Sequence, residues 1–184
     1  MAITIDGSTN SLPTASFPIG SIVQTQVLNS NLTATLAPGT TLTEVSTSYR
    51  VSITPLYSNS LMLVEYFIPG GVNNPWSSNY VMRTAGYRIV SNSFQSPTSV
   101  GTAVGSRTAI SGFMHRTSNG YDYNDGIWNY FVIYDQPNTT SAIQYGFKMS
   151  TEGGTMTYNY NGGADNSSFG FSSQVIIIAK EIKQ

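Results

Sequence analysis

The chain contains no cysteine and a single histidine, and only 9% of its residues carry charge. Each shortage closes off a class of chemistry. Without thiols there are no disulfides, no thiolate metal sites and no cysteine nucleophile. His115 alone, with no cysteine beside it, cannot supply the ligand set of an ordinary zinc site, so no metal is expected. A Ser-His-Asp triad would have to use the same His115, and the sequence has no Gly-x-Ser-x-Gly elbow to seat the serine. Lys and Arg number 8 against 9 Asp and Glu, a net charge of −1. Nucleic-acid binding by counterion release needs clustered cations, so nucleic acid is not an expected partner. No apolar run approaches the roughly 18 residues a membrane helix needs, and Val175 to Ala179 is strand-sized. Met1 to Asn10 has neither the basic nor the apolar region of a signal peptide. Neither membrane insertion nor export by the general secretory route is expected.

What remains is rich in strand formers. Hydrophobic residues make up 40% of the 184 and aromatics 12%, with 17 Gly. Much of the polar remainder is Ser, Thr and Asn, which favour strands and turns over helices. Tyr49, Val51 and Ile53 alternate with Arg50, Ser52 and Thr54, the pattern of a half-buried strand. Leu61 to Ile68 is apolar on both faces except at Glu65, which predicts a central strand closed by Pro69-Gly70-Gly71. Val81 to Val90, Thr108 to Met114 and Trp128 to Tyr134 read as further strands. So do Ile143 to Ser150, Met156 to Tyr160 and Phe169 to Ile182. Residues 91–106 read as a long loop, and Asp135-Gln136-Pro137-Asn138 as a turn. Short strands separated by turn signals predict an all-β sandwich or barrel, and two packed sheets would bury both alternating sets, so the expected fold is a jelly-roll-type antiparallel β-sandwich. Pro13 and Pro18, in a Ser/Thr-rich stretch, make residues 1–19 read as an extended N-terminal arm ahead of a head over 20–184, with an edge strand of the same domain as the alternative. Ile3, Ile5 and Phe17 are its apolar anchor residues.

Candidate sites are few. Glu65 is the only carboxylate inside an apolar run, and an ion pair with Arg50, Arg83 or Arg88 explains it more simply than catalysis does. No catalytic residue and no cofactor are assigned. Tyr121, Asp122, Tyr123, Asn124 and Asp125 form a polar, aromatic tip that lacks the distal Glu of a calcium loop. Together with Trp76 in another loop they are the candidate ligand-binding residues, since such rings stack on sugar faces while amides and carboxylates bond hydroxyls.

Met1-Ala2-Ile3-Thr4-Ile5-Asp6-Gly7-Ser8-Thr9-Asn10 and Gly20-Ser21-Ile22-Val23-Gln24 resemble segments of tail-fibre-like and other virion structural proteins of marine tailed phages, the cyanophages among them. Val51-Ser52-Ile53-Thr54-Pro55, Ser58-Asn59-Ser60 and Leu61-Met62-Leu63-Val64 resemble the core of the same family. The closing Ile176-Ile177-Ile178-Ala179-Lys180-Glu181-Ile182 is similar to its last strand. The resemblance covers the first third of the chain and the last strand. It implies a virion protein, a homotrimer whose arm docks to other virion proteins and whose head faces outward toward a host glycan. The chain departs from the family at Met62 and lacks the long shaft of many members. That leaves a short fibre tip, a tail knob or a capsid decoration protein, with a free carbohydrate-binding module as the reading from another class.

Overall fold

In the computed structural model, residues 17–37, 39–73, 80–98, 110–116, 125–152, 155–158 and 174–184 are described. They form twelve strands: β1 (Ile22–Ser30), β2 (Ala34–Leu36), β3 (Gly39–Glu44), β4 (Val51–Ile53), β5 (Leu61–Asn73), β6 (Tyr80–Val90), β7 (Ser93–Gln95), β8 (Gly112–Arg116), β9 (Asp125–Asp135), β10 (Ile143–Glu152), β11 (Thr155–Tyr158) and β12 (Val175–Ile182). The described residues contain no α-helix, only a 3-10 turn over Thr47–Tyr49.

The strands form two antiparallel sheets packed as a sandwich. In the first sheet β5 is central. β9 runs along one edge of it from Met62↔Asp135 to Val72↔Asp125. The other edge is shared: β12 pairs with Leu61 to Phe67, and β11 pairs with Gly70 to Asn73. β1 lies outside β12, and β2 outside β11. In the second sheet β10 and β6 are central, with β3 and β4 beyond β10 and β7 and β8 beyond β6.

Period-2 alternation decides which side chains meet between the sheets. Met62, Val64, Tyr66 and Ile68 of β5 face Ile143, Tyr145, Phe147 and Met149 of β10, joined by Val51 and Ile53, Phe131 and Ile133, and Val175, Ile177 and Ala179. Burying a side chain of this size stabilises the fold by about 1.5–3 kcal/mol. Tyr66 stacks on Phe131 with ring centres 4.4 Å apart and meets Phe147 edge-on at 6.4 Å.

Three sequence expectations change. Pro69-Gly70-Gly71 does not close the central strand but lies within β5. Pro69 falls where the edge neighbour changes from β12 to β11, the point along β5 at which a missing N–H costs least. The loop expected over 91–106 holds β7. Ser91 and Asn92 both have positive φ, 49° and 62°, and form a two-residue turn whose twist suits a tight hairpin. Asp125 and Gly126, expected in a loop tip, open β9. The arm over 1–16, including Ile3 and Ile5, lies outside the described residues. Phe17 is described: its carbonyl accepts a hydrogen bond from Lys183 Nζ at 2.9 Å, beside the end of β12.

Candidate assembly face and the opposite cleft

The residues that point away from the core differ sharply between the two sheets. On the first sheet, register places Ile22, Val27, Leu61, Leu63, Phe67, Tyr130, Val132, Tyr134, Ile176, Ile178 and Ile182 on one outer face. Val27 is 59% exposed, Tyr130 54%, Ile22 53% and Tyr134 52%, far above core values. Thr25 and Asn29 of β1 also lie on this face, and two charges interrupt it, Lys180 of β12 and Glu65 of β5. They pair with each other diagonally across the strands, and Tyr130 Oη donates to Glu65 at 3.4 Å. Glu65 therefore points outward and pairs with Lys180, not with Arg50, Arg83 or Arg88 as the sequence predicted. The arginines lie elsewhere: Arg50 precedes β4, and Arg83 and Arg88 belong to β6 in the other sheet. A sheet whose strands are apolar on both faces is normally covered on both. At four strands by about seven residues, with 4.8 Å and 3.3 Å spacings, the face spans about 450 Å², the size of the largest apolar patch on an ordinary monomer, a patch that is often functional.

The outer face of the second sheet is polar and sculpted. Arg50 makes a two-pronged ion pair with Glu44, Nε–Oε1 2.6 Å and Nη2–Oε2 2.7 Å. Tyr87 Oη donates to the same carboxylate. Burial pushes the Glu44 carboxyl up, but the bonds from Arg50 and Tyr87 and the charges of Arg50 and Lys148 outweigh it, so Glu44 sits below its usual value. Burial, then the bond to Glu44, raises the Tyr87 phenol. Lys148 Nζ lies 4.4 Å over the Phe94 ring, and Arg50 lies 5.7 Å from it. Leu42, Ala85, Tyr87, Phe94, Gln95 and Lys148 line a cleft of about 260 Å³. Gly146 lets Tyr87 lie flat there, because a Cβ at that position would sit 2.6 Å from Tyr87 Cζ.

The fully buried carboxylates are neither on these faces nor among those singled out from the sequence. Asp135 accepts from Arg88 Nη1, from Tyr145 Oη at 2.8 Å and from the Thr98 N–H at 3.0 Å. It thus ties the end of β9 to β6 and β10 in the opposite sheet. Glu181 accepts from the Leu56 and Tyr57 N–H groups, Ser60 Oγ and Gln24 Nε2, and so holds the link between β4 and β5 against β12. Every partner of Glu181 is a neutral donor, and the Asp135 oxygens are bonded to Arg88, Thr98 and Tyr145, an arrangement of structural clamps and not of a free acid and base.

Among the expected ligand-binding residues, Trp76, Tyr121, Asp122, Tyr123 and Asn124 lie outside the described residues. Asp125 pairs in backbone register with Val72, and His115 of β8 with Val81. The apolar face was missed as a site although its signal was present. Leu61 to Ile68 apart from Glu65, Trp128 to Tyr134 apart from Asn129, and Val175 to Ala179 are apolar on both faces, and only their adjacency in one sheet turns three runs into one surface. No protein-family model matches the chain, and no curated protein matches it.

Proposed function

We propose that the protein is a structural component of a tailed-phage virion that acts by assembly and display, without catalysis. The outer face of the β1-β12-β5-β9 sheet carries this reading: a surface so apolar suits a chain that spends its working life packed against other chains. The low overall charge supports it, since near-neutral surfaces lack the repulsion that keeps small proteins apart. The interleaved orders β1-β12-β5-β9 and β4-β10-β6-β8 support a jelly-roll reading, an architecture common in capsid and lectin domains. In this reading residues 1–19 anchor the chain to other virion proteins, the chain associates with copies of itself in the homotrimer that the resemblance implies, and the loops at Trp76 and Tyr121 to Asp125 face a host glycan. A short tail fibre or knob and a capsid decoration protein are the two placements within it.

A map of the intact particle tests the proposal directly. The expected result is density for this chain on the tail or capsid surface with its apolar face covered. A chain absent from purified particles, or present with that face in solvent, overturns it. The cleft beside Phe94 favours a second reading as a free carbohydrate-binding module, because aromatic rings flanked by Lys148 and Gln95 resemble a sugar subsite. Glycan-array binding by an isolated monomer would favour that module.

A further inference from the structure

We infer that the occupant of the apolar face is a second copy of this chain, packed face to face about a two-fold axis. The inference rests on the assembly reading and names the partner of that same surface. Area is the first argument. A face of about 450 Å² per copy gives about 900 Å² of projected surface in a pair, close to the roughly 1,000 Å² at which specific interfaces begin. Shape is the second. The same face of two identical chains meets itself only through a two-fold operation, whereas a three-fold ring brings unlike patches together and leaves part of the face open.

Charge is the third argument. Lys180 stands opposite Leu63, and Ile178 opposite Glu65, in adjacent rows of β12 and β5. The four residues form a small rectangle near the middle of the face, with Lys180 and Glu65 on one diagonal. A two-fold axis lying in the plane of contact, along the other diagonal, sets each Lys180 over Glu65 of the other copy. Each charge gains a second partner as it loses water, which an uncharged or single-sign partner would not supply. The same axis runs along the line from Ile178 to Leu63, so each of these meets its own counterpart. Val27, Phe67, Tyr130 and Tyr134 surround this centre, and Thr25 and Asn29 of β1 form a polar margin beyond β12.

The absence of cysteine makes the test clean. Sedimentation of the full chain should give an even number of chains, a pair, or two homotrimers of the assembly reading joined by the two-fold contact, and I178E should halve that mass by weakening the contact about 100-fold or more. A single-cysteine variant, I178C, should be captured as a pair by a bismaleimide of about 10 Å reach, matching the spacing of packed sheets. S52C, on the exposed side of β4 in the other sheet, should not. K180E and E65K should each associate poorly alone, by like-charge repulsion across the axis, and recover when mixed. That recovery would not occur if either substitution had merely unfolded the chain. A monomeric wild type, an odd-numbered oligomer that I178E leaves intact, or a failure of the mixture to recover overturns the inference. The assembly reading is judged separately, by incorporation into particles. A chain that is monomeric alone but excluded from particles by I178E would retain the assembly role and assign the face to a different virion protein.

Discussion

The two outer faces of this sandwich are built on the same alternation yet present opposite chemistry. On the β12-β5-β9 side, one face of each strand supplies core and the other supplies further apolar side chains, with Lys180 and Glu65 neutralising each other among them. On the β10-β6 side, the outward positions include Gln144, Gly146, Lys148, Ala85, Tyr87 and Ile89, and Glu44 and Arg50 reach in from the neighbouring strands. Solvation separates the two. The second face satisfies its own polar groups and can remain in water, while the first presents apolar surface that covering would remove from water.

That contrast can be broken in steps, beginning with what holds the two sheets in register. The largest expected effect comes from alkali. Burial raises the phenols of Tyr66 and Tyr145, and Tyr49 is pushed up to about 12. These groups ionise more readily in the unfolded chain, so the stability they contribute is complete below about pH 10 and is lost as the pH rises through the folded values. Cooperative unfolding above pH 10, with tyrosinate absorbance appearing in the same transition, is the expected result. Gradual titration without unfolding would show that the tyrosines are not locked between the sheets.

Next comes D135A. Removing this carboxylate leaves the Arg88 guanidinium and the Tyr145 hydroxyl without their partner between the sheets, at a cost of about 3–5 kcal/mol. Urea denaturation should show a lower midpoint, and an unchanged midpoint would mean the bridge contributes nothing. G146A should cost about 1–3 kcal/mol, because the new Cβ drives Tyr87 off the second face. The loss should fall with Y87A in the same chain, a double-mutant cycle that ties the cost to that one contact.

The smallest effect belongs to the polar face. Glu44 has its carboxyl below the ordinary value, so its contribution is present above the unfolded value, near 4.5, and disappears as the pH falls through the lower folded value. E44Q should therefore lower stability at pH 7 by about 1 kcal/mol or less, and by nothing at a pH below the folded value. Parallel stability curves for the two proteins across that range would remove Glu44 from the account.

The core was legible because its signal is periodic. Ile143, Tyr145, Phe147 and Met149 fall on one side of a strand in any arrangement of the chain, and all four are buried. The β6–β7 hairpin was not legible, because Ser91-Asn92 is a weak turn signal whose positive φ values depend on the strands it joins. Asp135 read as a turn residue because its burial depends on Arg88, Thr98 and Tyr145, which are 47, 37 and 10 residues away. Glu65 stood out from the sequence because it interrupts an apolar run, but its partner, 115 residues on, could not be named.

Composition and alternation by themselves determined that this chain is all-β, that it has no thiol chemistry, and which side chains of each strand share a face. Those properties are local, repeating every two residues along the backbone. Only the tertiary structure decided which strands are neighbours, and with it that the apolar outward sides of β5, β9 and β12 merge into one surface while Glu44, Arg50 and Tyr87 meet on the other. Adjacency between strands is set by long-range pairing and packing, and no short stretch of sequence encodes it.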